Sequence, residues 1–191
     1  MSDLLAGPAA EVAEASRTLD LVKVPMSDSK EITRLLDQFA RAYEGDAWVG
    51  TPVRALVDDV DARLAAAHPV AGAHSIWDLV AHITYWLDAA ARRLAGQVVD
   101  PQDDEDWPPN PPPSDTAWVA TLAAFQASHD RLLAAIRRLG PEDLDGAVPG
   151  KTYSVYVLLH GVLQHTLYHA GQIGLLRRAA RESSGAASRP G

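Results

Sequence analysis

Three histidines carry the chemistry that this sequence makes available. His165 and His169 stand four residues apart in HGVLQHTLYHAGQI, and His82 lies in WDLVAHITYW. On a helix turning 100° per residue, Leu158, Val162, His165, His169, Ile173 and Leu176 share one inward stripe. The i,i+4 spacing is how one helix presents two imidazoles to one metal ion, each about 2.0 to 2.1 Å from a zinc-like centre. His160 falls on the opposite side of that helix. A buried pair that simply hydrogen-bonds to its neighbours explains an isolated H-x-x-x-H more often than ligation does. His82 shifts the balance, because it sits with Leu79, Ile83, Trp86 and Ala90 on an apolar stripe of its own. Three inward imidazoles without ligation would be costly. The pattern predicts one divalent ion held by His82, His165 and His169, with at least one coordination position open.

Other routes to catalysis are closed or weak. Thr166 occupies the place where an H-E-x-x-H protease carries its general-base glutamate. Cysteine is absent, which removes thiolate ligands, disulfides and a cysteine nucleophile. Catalysis would rest on the metal, which lowers the pKa of a bound water or holds a substrate thiol as thiolate. Around the triad, Asp78 can cap its helix or orient the outer nitrogen of His82. Trp86, one turn beyond His82, lines a site there or packs the core. Tyr168 and Gln172 divide evenly between pocket and packing. His129 shares a stripe with Trp118, Leu122, Phe125, Leu132 and Ile136, where a satisfied core histidine outweighs a metal-supporting role. His68 and His74 read as structural loop residues.

The elements that must position these groups read as all-α. Proline and glycine divide the chain into four stretches of helical periodicity, and none alternates as a half-buried strand does. The first helix is expected from Ser27 or Asp28 to Tyr43, the second from Ser75 to near Gly96, the third from Asp115 to Leu139, and the fourth from Tyr153 to Arg181. S-I-W-D at the head of the second is a capping box. Residues 46–70 form a connector in which PVRALVDD and DARLAAAH each make about two turns of helix. Residues 97–114 hold six prolines among acids and are expected as a stiff, extended linker without helix. At roughly 3.1 Å per residue it reaches about 56 Å, enough to cross a bundle about 33 Å long. The expected architecture is therefore a four-helix bundle, up-down-down-up, with a long crossover between its second and third helices. An N-terminal arm over residues 1–26 and a disordered tail over 182–191 flank the bundle at 27–181. On the fourth helix Tyr156, His160, Leu163 and Leu167 form a second apolar stripe, expected to be covered by the connector, with any two-fold dimer using adjoining surface.

Composition is ordinary for a globular domain, 47% hydrophobic and 22% charged. A formal charge of −8 repels phosphate backbones and anionic lipid, which argues against a nucleic-acid partner. No apolar run reaches the roughly 18 to 20 residues of a membrane span, and the first 25 residues lack a basic start and apolar core of a signal peptide. A cytoplasmic protein acting on a small molecule is expected.

Two segments, W-D-L-V-A-H with Trp77 five residues before His82, and H-T-L-Y-H-A-G-Q-I with His165, His169, Gly171 and Gln172, resemble the DinB superfamily of DinB/YfiT-like metalloenzymes. That family takes one metal ligand from its second helix and two, four residues apart, from its fourth. The resemblance implies the up-down-down-up fold, one Zn, Ni or Fe ion, frequent homodimers, and in some members an S-transferase or isomerase activity that depends on a low-molecular-weight thiol such as mycothiol or bacillithiol. Some relatives carry arginine after the last ligand, where Ala170 stands here. A metal-dependent hydrolase and a non-catalytic, stress-related metal-binding bundle stay open as alternatives.

Overall fold

The computed structural model describes residues 30–186, and the N-terminal arm, the start of the first helix and residues 187–191 lie outside them. The described residues are all-helical, with one isolated antiparallel bridge between Ala147 and Ser154. In chain order the helices are α1 (Lys30–Tyr43), α2 (Val53–Val57), α3 (Ala62–Ala65), α4 (Ile76–Leu94), α5 (Asp103–Asp106), α6 (Asp115–Ile136) and α7 (Val155–Ala186). Among these residues no helix is long and apolar enough to cross a membrane.

Local chemistry sets the helix ends. Ser75 Oγ accepts from the Asp78 amide at 3.1 Å and Asp78 Oδ2 accepts from the Ser75 amide at 2.8 Å, so each satisfies a donor that the first turn of α4 leaves free. Gly96, at φ +86°, lets the chain leave α4 through a left-handed residue that a side chain would strain. Ser114 Oγ accepts from the Ala117 amide at the head of α6. The four long helices bury one shared core of Leu35, Phe39 and Tyr43 from α1, Val80, Ile83 and Leu87 from α4, Phe125, Leu132 and Ile136 from α6, and Leu159 and Ile173 from α7.

Side-chain contacts give the helix directions. Trp77 Nε1 donates to Thr121 Oγ1 near the heads of α4 and α6, and Arg131 meets Asp88 farther along both, so these two helices run the same way. Arg93 at the end of α4 reaches Tyr153 just before α7, and His82 meets His165 and His169 deeper in, so α4 and α7 run oppositely. α2 packs against α7, with Asp59 beside it paired to Arg177 and Arg181. Leu163 is buried and Leu167 packs against the core, whereas Tyr156 at the start of the same stripe stays more open.

Two expectations are corrected. Residues 97–114 are not uniformly extended: the proline-free run between Pro101 and Pro108 turns once as α5. Glu105 caps that turn by accepting from the Gln102 amide at 3.1 Å, and acids suit a helix start. The fourth long helix does not stop at Arg181 but continues to Ala186, with no proline or glycine between Arg181 and Gly185 to end it.

Candidate metal centre

α4 carries His82 inward between Leu79 and Ile83, and α7 carries His165 and His169 on facing turns. Their Nε2 atoms converge: His82 to His165 is 2.9 Å and His165 to His169 is 3.0 Å. The three ligand atoms lie within 4.8 Å of one another. Nitrogens around a tetrahedral ion at about 2.1 Å would stand about 3.4 Å apart, between those limits, so small ring shifts suffice to take a metal.

The outer nitrogens decide the tautomers. His82 Nδ1 lies 2.7 Å from the Asp106 carbonyl oxygen and His169 Nδ1 lies 2.6 Å from Gln172 Oε1. Both oxygens can only accept, so both Nδ1 atoms carry the proton and both Nε2 atoms present lone pairs. His165 Nε2 faces both, and a single N–H there can satisfy only one of them. A cation at the meeting point resolves the mismatch, because all three lone pairs then have a partner. His165 Nδ1 is buried and has no partner among the described residues.

The protonation states fit the same purpose. Burial, reinforced by His169 and His82 beside it, lowers the His165 pKa to about 3. Burial also lowers His82 and His169, outweighing the hydrogen bonds they donate to Asp106 and Gln172, which favour the protonated ring. Asp106 Oδ1, 3.2 Å from His82 Nδ1, therefore faces a neutral imidazole rather than an ion-pair partner. Neutral imidazoles are what a Zn-, Ni- or Fe-type ion requires, whereas Mg and Ca prefer oxygen donors.

The walls are aromatic. Trp107 stacks on His82 with centroids 3.8 Å apart, and His74 stacks on Trp107 at 3.6 Å, so His82 is the end ring of a stack of three. Trp86 meets His165 edge-on, and its Nε1–H donates to Asp106 Oδ1 at 2.7 Å. The triad, Trp86, Trp107 and Asp106 all line one cavity of about 560 Å³, which continues past Val157, Leu158, Gly161 and Val162 to Arg93 and Tyr153.

The remaining candidates fall in different places. Gln172 supports His169, Tyr168 lies mostly exposed with its ring centroid 5.1 Å from that of His169, and Trp86 lines the cavity. Asp78 does not reach His82; its oxygens serve the capping box and Asn110, and Asp106 occupies the outer side of His82 instead. His129 is buried apart from the triad, stacked on Tyr43 at 4.0 Å, and burial lowers its pKa. Asp106, Trp107, Arg93 and Tyr153 were not singled out from the sequence. An aromatic residue directly after an acidic run, in a linker otherwise of prolines and polar groups, is the available signal for the first two.

These features define an all-α protein with a buried three-histidine site that can hold a metal ion and that opens on a cavity. The chain belongs to the DinB superfamily, whose family model matches residues 48–173 and so spans all three histidines while leaving α1 outside. No curated protein and no solved structure matches it.

Proposed function

We propose that this protein is a metal-dependent enzyme in which His82, His165 and His169 hold one divalent ion, and that it activates a low-molecular-weight thiol for S-transfer or isomerisation of a small-molecule substrate. The observation that carries the reading is the position of the triad on the wall of the cavity. Three protein ligands would leave a bound ion with an open coordination position, as catalytic sites do and closed structural sites do not. A bound ion supplies Lewis acidity that brings a thiol or water in that position to its deprotonated form near neutral pH.

The chain's own residues supply the rest. Gln172 and the Asp106 carbonyl hold His169 and His82 in the tautomer that ligation needs. Asp106 Oδ1 accepts from Trp86 and lies 3.2 Å from His82 Nδ1, so this carboxylate holds both rings in place from the outer side of His82. Trp86 and Trp107 keep the inner end of the cavity apolar, where a thiolate is poorly hydrated and more nucleophilic. The proposal includes an up-down-down-up bundle, supported by the common direction of α4 and α6 and by the crossover joining them. The charge of −8 supports a small molecule over nucleic acid as the partner.

The test is an assay with mycothiol, bacillithiol and glutathione as donors, run before and after chelation, together with absorption spectra of the cobalt-substituted protein. Thiol-dependent turnover that is lost on chelation, with a thiolate-to-cobalt band appearing on thiol addition, is expected. Turnover unaffected by chelation overturns the mechanism. Metal-dependent turnover that needs only water favours the hydrolase, and a cobalt spectrum indifferent to every thiol favours a metal that merely braces the bundle.

A further inference from the structure

The cavity does not end at the triad. Arg93 follows His82 by eleven residues on α4, about 16 Å along the helix axis, and lines the same cavity together with Tyr153. Only 4% of Arg93 is exposed, and a guanidinium stays charged at any physiological pH. Buried charges are ordinarily paired. Here the partners are neutral: Nη2 donates to the Val99 carbonyl at 2.7 Å and Nε to the same oxygen at 3.3 Å, while Nη1 meets Tyr153 Oη at 3.4 Å. The Trp86 ring lies 5.4 Å from Cζ. No carboxylate forms an ion pair with Arg93 among the described residues; Asp100 feels its charge at longer range but is itself paired with Lys151. The carbonyl ends of α4 offset part of the charge, since Arg93 lies in its last turn. The three hydrogen bonds to Val99 and Tyr153 leave two of the five N–H donors unused.

We propose that Arg93, assisted by the Tyr153 hydroxyl, is the anion-binding end of the cavity, and that the ligand it receives is an elongated molecule with a carboxylate at one end. Three features agree. The guanidinium, hydrogen-bonded only to neutral groups, keeps one free N–H on each of Nη1 and Nη2, donors that suit the two oxygens of a carboxylate. Between Arg93 and the histidines the wall is apolar, made by Trp86, Leu158 and Val162, so the body of the ligand is apolar. Gly161 contributes no side chain to the wall, and a Cβ built there meets nothing within 4 Å, which keeps the space beside α7 open. The ligand lies along α4 and α7 with its carboxylate on Arg93 and its reacting end toward the triad. Only the orientation of that reacting end rests on the metal reading.

Calorimetric titration of 4-phenylbutyrate and of the neutral 4-phenylbutanamide tests this on chelated and on zinc-loaded protein. The acid is expected to bind at least tenfold tighter than the amide in both forms, and Arg93→Gln is expected to abolish that preference. Gly161→Leu, which places a branched side chain in the cavity, should weaken the acid by a similar factor while its metal content stays unchanged. That variant keeps the test decisive if Arg93→Gln fails to fold. Equal binding of acid and amide, a preference that survives Arg93→Gln, or acid binding that requires zinc overturns the proposal. The last of these places the carboxylate on the metal and leaves the metal reading standing, whereas acid binding with no metal uptake sinks the metal reading alone.

Discussion

Replacing His165 by glutamine should flatten the acid sensitivity of the metal-free protein. His165 is the inner member of the triad, and burial beside His82 and His169 takes its pKa from 6.5 to about 3. An unfolded chain at pH 5 binds a proton on this ring and the folded chain does not, so acid favours unfolding. The stabilising contribution is thus complete above pH 6.5 and drains away as pH falls toward 3. Between pH 8 and pH 5 the loss from a fully shifted histidine amounts to about 2 kcal/mol, and partial water access to the ring trims it to roughly 1 to 2. Urea unfolding of chelated wild type and His165→Gln at both pH values gives the difference directly. The variant should lose about 1 to 2 kcal/mol less than the wild type over that interval. A residual loss is expected in both, because burial also lowers His82, His169 and His129. An identical pH dependence in the two proteins would refute the claim that His165 is held neutral by its surroundings.

Gln172→Ala removes the acceptor that orients His169 and should weaken metal binding by about tenfold without unfolding the bundle, as competition with a fluorescent chelator would show. Leu163→Glu and Leu167→Glu should each lower thermal stability at concentrations where the protein is monomeric. Leu163 is 8% exposed, Leu167 packs against the core, and an uncompensated buried carboxylate costs several kcal/mol. If light scattering shows that these changes only dissociate a dimer and leave the melting temperature intact, α7 is covered there by a second subunit.

Periodicity and spacing made much of this legible. The i,i+4 pair on α7 and the stripe through His82 on α4 depend only on helix geometry, so the sequence sufficed to bring these three residues to facing helices. The Ser75 capping box and Gly96 marked the bounds of α4 for equally local reasons. What was not legible depends on contacts distant in the chain. Asp106 and Trp107 sit in a proline-rich segment whose composition speaks only of extended chain, and their place beside His82 is fixed by how that segment folds back across α4. Arg93 stands in the last turn of α4, where the helix dipole alone would favour a base, so its type and position carry no sign of burial. Its burial arises because the chain after α4 folds back to place the Val99 carbonyl on it and Tyr153 closes from just before α7. His129 looked equally inward in sequence, but the stripe it shares faces Tyr43 of α1 and not the triad.

Elemental analysis of the purified protein and of the His165→Ala/His169→Ala double variant tests the central claim most directly. Three neutral imidazoles converging on one point predict about one divalent metal ion per chain in the wild type, and loss of most of it when two of the three are removed. Stoichiometric metal retained by the double variant would contradict the account.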